Sequence, residues 1–166
     1  MTSVRTSALL GAASGLGGAA VMAAASNLEQ RFTHRPDSYI PGHTLAHLLE
    51  LRDADCDQWS RNLTMHYASG AIAGVIRGVM SCANLRGPFA SLMHANIRIA
   101  FDQTLENLTG VGAPPWTQPR DELLIDLVEK GIYALTTGAL ADTMIAPLPN
   151  SSARRRGLSL RLSGHA

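Results

Sequence analysis

The sequence predicts an all-α protein, a four-helix bundle that spans a membrane and has a polar loop between helices one and two. An uncharged stretch runs from residue 7 to 27, long enough to cross ~30 Å of hydrocarbon at ~1.5 Å per residue. Only 16% of the 166 residues are charged, against roughly 25% in ordinary soluble domains. Glycine also recurs every four residues in two predicted helices, a pattern typical of close helix contacts in membranes.

The first predicted helix covers residues 6–32. Its small residues share one face, and Gly11 and Gly15 form a small-xxx-small pair. In water each glycine would cost about 1 kcal/mol relative to alanine, so the pattern favours a membrane. A cleavable signal peptide is the alternative, with a basic start at residues 1–5 and three alanines at 23–25.

A polar loop follows over residues 33–59, where Pro36 and Pro41 interrupt any long helix. A short surface helix over 42–53 is compatible with the pattern. His43 and His47 lie one helical turn apart, but no third metal ligand is evident nearby. We therefore predict an exposed amphipathic turn and no metal.

The second long helix is predicted over residues 63–85. Four of its residues recur every four positions: His66, Gly70, Gly74 and Gly78. Arg77 returns to the face of His66 after three turns. This face should therefore combine close backbone contact with buried polar groups.

The third helix begins after the tight connection at residues 86–88, so it should run antiparallel to the second. The fourth covers 120–147, with an acidic first turn that suits the helix dipole. Between them, residues 110–119 contain Pro-Pro-Trp and should be stiff and non-helical. Trp116 here and Trp59 in the first loop suit a membrane interface.

The arginines predict that both termini are cytoplasmic. With four spans, both termini and the 86–88 turn share one side, whose arginines are Arg5, Arg86, Arg154, Arg155, Arg156 and Arg161. Residues 27–62, on the other side, hold six carboxylates against four arginines. The positive-inside rule then gives the orientation. Cys56 would report on the opposite face.

A soluble helical bundle is the competing fold. The mean hydropathy is only +0.05, and helices three and four are amphipathic, as in soluble bundles. We predict a single four-helix membrane domain over residues 1–150 and a basic, disordered tail over 151–166.

Composition and motifs exclude several functions. The net charge of +1 gives no reason to expect nucleic acid. Cys56 and Cys82 lie 26 residues apart without a CxxC pattern and indicate neither a metal site nor a disulfide framework. The glycine-rich run at 15–20 has no strand before it, so it is not a dinucleotide-binding turn. We predict no cofactor.

The third helix carries four polar side chains at intervals of four residues: His94, Arg98, Asp102 and Glu106. Facing lipid, each charge would cost at least ~2.5–3.5 kcal/mol at mid-membrane. The row should therefore face the interior or an aqueous cleft, together with His66 of the second helix. These five residues are the predicted catalytic site.

Three interpretations of this row remain open. In the first, Asp102 or Glu106 is the general acid or base of a cofactor-independent enzyme that cyclises, isomerises or opens an epoxide in a lipophilic natural-product intermediate. Arg98 would keep one carboxylate ionised, while burial favours protonation of the other. In the second, the protein is a scaffold or accessory subunit for a partner membrane enzyme. In the third, the charges only neutralise each other and fix helix register.

The order of motifs resembles a family of uncharacterised small hydrophobic proteins of bacteria and filamentous fungi. The motifs are "RPDSY", "HYASGAIAGVIRG", "DQTLENLTGVGAPPW" and "VEKGIYALTTG". More loosely, the chain is similar to bacterial inner-membrane proteins of the YagU type over residues 6–145. The resemblance implies a polytopic membrane fold and no established activity. The chain departs from the YagU type at Lys130-Gly131-Ile132-Tyr133, where a Gly-His pair is usual.

Overall fold

The computed structural model describes residues 3–51 and 57–148. Cys56 and the predicted tail at 151–166 lie outside these ranges. The helices are α1 (Val4–Thr33), α2 (Ile40–Leu48), α3 (Gln58–Cys82), α4 (Gly87–Leu108) and α5 (Arg120–Met144), with a single 3-10 turn at Pro115–Thr117. No strand occurs within the described ranges. An all-helical bundle is thus confirmed, and the described residues form five α-helices where the sequence predicted four.

The additional helix, α2, lies inside the predicted polar loop. Pro41 stands in its first turn, where proline costs no hydrogen bond, and so starts the helix instead of breaking it. Trp59, predicted to lie in the loop, belongs to the first turn of α3. The helix α3 therefore begins five residues before the predicted start.

Helices α1 and α3 run antiparallel with their backbones in contact. A methyl group on Gly11 would lie 2.7 Å from the Cα atom of Gly78, and one on Gly74 would lie 2.7 Å from the Cα atom of Gly15. Real Cβ atoms do not approach so closely, so only glycine fits at these positions. The predicted small-residue face of α1 is thus its contact face.

The helices α1, α3, α4 and α5 alternate in direction. Residues 83–86 join α3 to α4, and the Leu148 backbone N–H donates to the Cys82 carbonyl at 3.0 Å. We call this end of the bundle, which also holds residue 3, the terminal end. The opposite end, which holds α2 and the segment 109–119, is the loop end.

Polar side chains lie inside the bundle and large apolar side chains lie outside. Arg77 and His94 are both 0% exposed, whereas Leu9 is 73% and Phe89 is 75% exposed. The buried apolar residues are mostly small alanines around Tyr133. Fully buried arginine and histidine side chains are uncommon in folded proteins, because charged groups are seldom buried unless they are paired.

Of the described helices, α1 alone is long and apolar enough by composition to cross a membrane, with a mean hydropathy of 1.6 over its best window. This finding applies to length and composition only.

Candidate functional site

The terminal end of the bundle contains a closed polar cluster around Asp142. The Arg77 Nη2 group donates to Asp142 Oδ2 at 2.8 Å, and the Ser81 hydroxyl donates to Oδ1 at 2.7 Å. The Gly87 backbone N–H also donates to Oδ2 at 2.9 Å. Arg86 Nη1 donates to the Asp142 main-chain carbonyl at 2.8 Å. Both carboxylate oxygens are therefore occupied.

The loop end contains an open polar cleft of about 490 Å³. Side chains from all five helices and from the segment 109–119 line it. The lining includes six of the charged or titratable residues of the bundle: His66, Arg98, Asp102, Glu106, Asp126 and Lys130. Four of the five predicted site residues therefore face one cavity.

Arg98 is the best-connected cation of the cleft. Its Nε donates to Asp102 Oδ2 at 2.8 Å, one helical turn away, and its Nη2 donates to the Ser69 hydroxyl at 2.9 Å. Its guanidinium carbon lies 4.7 Å from the centre of the Tyr133 ring, a cation–π contact. Its Nη1 is buried and has no hydrogen-bond partner among the residues that the structure describes.

The two carboxylates of the predicted row have different surroundings. Asp102 accepts from Arg98 and also lies 3.9 Å from Lys130 Nζ, which forms an ion pair with Asp126. Glu106, one turn further along α4, is half-buried and has no cation within 4.0 Å in the described part of the chain. One carboxylate is thus fixed by a cation, and its neighbour is unpaired.

The two histidines occupy different depths. His66 lines the cleft and donates from Nε2 to the Ala19 carbonyl at 2.9 Å. His94 does not line the cleft. It is fully buried and donates from Nε2 to the Ala73 carbonyl at 2.9 Å, and its Nδ1 has no hydrogen-bond partner among the described residues.

An ion bridge at the edge of the cleft joins α1 to α5. Arg35 Nη2 lies 3.2 Å from Glu29 Oε2 and 3.3 Å from Glu129 Oε1. Sequence reasoning missed the role of Arg35 because it lies in a loop, where no periodicity assigns it to a face. It also missed Ser69, which no motif distinguishes from other small residues of α3.

Within residues 3–51 and 57–148, no group of three or more His, Cys, Asp or Glu side chains is arranged to hold a metal ion. The absence of a metal and of a cofactor from the working protein stays a prediction.

Comparisons of the chain with protein-family models, curated proteins and solved structures found no match. The resemblance to small polytopic membrane proteins therefore stays a prediction as well.

Proposed function

We propose that the protein is an integral membrane protein whose long helices α1, α3, α4 and α5 all cross the bilayer. The inverted distribution of side chains supports this proposal, because lipid solvates outward-facing Leu, Ile and Phe and water does not. The four helices contain 22 to 30 residues. At ~1.5 Å per residue each is at least as long as the ~30 Å hydrocarbon core.

The low hydropathy of three of these helices is compatible with the proposal. Helices α3, α4 and α5 bury polar residues such as Arg77, Arg98 and Lys130 and expose apolar ones. An average over the whole helix mixes the two faces, so it understates the apolar character of the outer face. Intramembrane charges that face the interior of a bundle are the usual arrangement.

A pair of arginine substitutions tests the location. Ile72, on the outer face in the middle of α3, and Leu49, just after α2, are both exposed. In a bilayer, Ile72→Arg should cost about 2.5–3.5 kcal/mol and reduce the carbonate-resistant protein recovered from membranes, while Leu49→Arg should not. Equal recovery of both variants, or wild-type protein in the soluble fraction, would contradict the four-span arrangement.

We further propose that the cleft catalyses a cofactor-independent proton transfer on a lipophilic small molecule. The observation that carries this proposal is the contrast between Asp102, ion-paired at 2.8 Å, and Glu106, unpaired in the same cleft. Two carboxyl groups in unlike environments can hold different protonation states, and such pairs divide acid and base roles.

In this proposal Glu106 is the general acid and base. As a carboxylic acid it donates its proton to a carbonyl or epoxide oxygen of the substrate, and as a carboxylate it then takes a proton from a substrate carbon. Glu106 is regenerated and no electrons are gained or lost, so the reaction is an isomerisation, a cyclisation or an epoxide opening. Asp102, paired with Arg98 at 2.8 Å, stabilises positive charge that develops on the substrate.

The two histidines have supporting roles. Because its Nε2 is engaged by the Ala19 carbonyl, His66 has a fixed ring orientation at the cleft wall. His94 is outside the cleft and makes no direct contact with a ligand there. We assign it to the packing of α3 against α4.

The scaffold alternative has one observation in its favour. Asn96 is exposed on the outer face of α4, and its side-chain amide donates to the Leu92 carbonyl of the same helix. A polar amide on a lipid-facing surface is typical of a helix–helix interface. A partner membrane enzyme would fit this face.

Two isosteric substitutions distinguish the enzyme from the scaffold. Glu106→Gln should leave the fold intact and reduce conversion of the native intermediate by about 10²–10⁴-fold, the usual contribution of a general acid or base. The measurement is a comparison of lipophilic metabolites in the source organism, with variants expressed at equal levels in a strain that lacks the gene.

Glu50→Gln is the matched control, because Glu50 is exposed and outside the cleft. If the protein is a scaffold, each variant should support conversion of the intermediate in proportion to the amount of folded protein that remains. Full conversion by a well-expressed Asp102→Asn, Glu106→Gln double variant would rule out the catalytic role.

A further inference from the structure

An apolar groove of about 200 Å³ lies beside the cleft, between α1 and α5. Its lining is mostly aliphatic: Ala25, Leu124, Ile125, Val128 and Ile132. Leu124 and Val128 are 61% and 60% exposed, so the groove lies at the outer surface of the bundle. If the four long helices cross the bilayer as proposed, this outer surface of the bundle faces lipid.

The groove and the cleft have a common wall. Ile125 and Glu129 line both. The ion bridge lies at this boundary, because Glu29 lines the groove, Arg35 lines the cleft, and Arg35 contacts both Glu29 and Glu129. A molecule with an aliphatic tail in the groove would therefore have its other end in the polar cleft.

The cleft favours a neutral head group that accepts hydrogen bonds. Arg98 is 3% exposed and lines the cleft, and Nη1 is its one nitrogen without an acceptor in the described part of the chain. Nη1 is itself buried, so a ligand oxygen would reach it by displacing the side chains that cover it. The contact would then satisfy a charged donor that is costly to leave unpaired. An ammonium head has no lone pair with which to accept a hydrogen bond from Nη1, and Arg98 would repel it at this position. An anionic head is disfavoured because six carboxylates and three cations, Arg or Lys, line the cleft.

We propose that the cleft receives a long-chain carbonyl compound from the bilayer, with its carbonyl oxygen bound by Arg98 Nη1 and its aliphatic tail in the groove between α1 and α5. This inference rests on the proposed acid/base function and names its substrate class. Arg98 would bind the oxygen that Glu106 activates, and opening of the Arg35 bridge would admit the tail from the side.

Photolabelling of the full chain in nanodiscs of neutral phospholipid tests the proposal. The probe is a long-chain methyl ketone with a diazirine in its tail, and labelled peptides are located by mass spectrometry. We expect labels near Ala25 and over residues 124–132, removed by excess unlabelled ketone. Even labelling of outward-facing residues on α3 and α4, unaffected by competitor, would overturn the proposal.

Probes with the same tail and diazirine but an amine or carboxylate head test the head group. The ketone should label the groove at least about tenfold more efficiently, the difference expected for one hydrogen bond to a charged group. Arg98→Lys keeps a cation for Asp102 but removes Nη1, so it should abolish this preference while the tail still labels the groove. If the ketone probe still labels the groove better than the amine and carboxylate probes in Arg98→Lys, the proposed binding of the carbonyl oxygen by Nη1 is wrong.

Groove-filling substitutions test the tail position. Ala25→Phe should displace the label from the groove, and Val128→Phe provides a second variant at an exposed position that tolerates a larger side chain. Ala100→Phe, on the exposed face of α4, is the matched control and should label as wild type. Wild-type groove labelling in both groove variants would overturn the proposal.

The experiments can reject the carbonyl-binding site and the acid/base function independently of each other. Uniform labelling together with loss of conversion in Glu106→Gln would reject the carbonyl site and keep the acid/base function. Competed groove labelling together with full conversion by Glu106→Gln would keep the carbonyl site and reject the acid/base function.

Discussion

The two ends of the bundle each contain an arginine paired with an aspartate, and the two pairs differ in what surrounds them. At the terminal end, the Asp142 carboxylate accepts from Arg77, Ser81 and the Gly87 backbone, and it ties α3 to α5 and to the start of α4. At the loop end, the Asp102 carboxylate is paired beside a cleft of about 490 Å³.

This difference is the basis on which we propose a structural role for one pair and a functional role for the other. Both arginines are almost fully buried, so burial alone does not identify a site. In the part of the chain that the structure describes, the loop end contains a cavity that a ligand can occupy and the carboxylate of Glu106, which has no cation within 4.0 Å. Our proposal accordingly assigns proton transfer to the loop end and helix positioning to the terminal end.

The largest effect on stability should come from Arg77→Met at the terminal end. The substitution leaves Asp142, whose side chain is 19% exposed, without its cation, and breaking a buried pair typically costs about 3–5 kcal/mol. Thermal unfolding of detergent-solubilised protein measures the loss. Adding Asp142→Asn should recover part of it, because the stranded charge disappears. A double variant as unstable as the sum of both singles would show that the pair is not coupled.

Arg98→Ala at the loop end should cost less, about 1.5–3 kcal/mol, the value for a hydrogen bond to a charged group. Lys130 lies 3.9 Å from Asp102 and remains to neutralise it. Combining Arg98→Ala with Lys130→Met should therefore cost more than the two single losses together. A loss for Arg98→Ala alone that equals or exceeds that of Arg77→Met would remove the distinction between the two ends.

Arg35→Gln should have the smallest effect on stability, about 0–1 kcal/mol, because the Arg35 ion pairs are partly solvated. The effect should shrink further in high salt, which screens exposed charges. Unfolding of wild type and Arg35→Gln at low and high salt measures both. A salt-independent loss comparable to that of Arg98→Ala would mean that the bridge belongs to the buried core.

Helical periodicity was sufficient to predict the all-α fold, the contact face of α1 and the inward direction of the charged row. Periodicity was insufficient to predict how deeply each residue of the row is buried. The row from His94 to Glu106 extends ~18 Å along the helix at ~1.5 Å per residue. One end is therefore in the interior while the other reaches the cleft, and no spacing in the sequence indicates where the cavity stops. Arg35 lies outside any helix, so only the folded loop brings it to Glu129.

The contact between α1 and α3 has a consequence for the entropy of assembly. Gly11, Gly15 and Gly74 have no rotamers to lose when the two helices meet, so the contact forms without the side-chain entropy cost that larger residues incur. Because glycine has no side chain, the two backbones are in direct contact, and the helices cannot slide along each other without a clash. A shift of α1 by one turn would bring Ser7 to the position of Gly11, opposite Gly78, where a methyl group already comes within 2.7 Å of backbone. The glycines thus encode a single alignment of the two helices by shape alone.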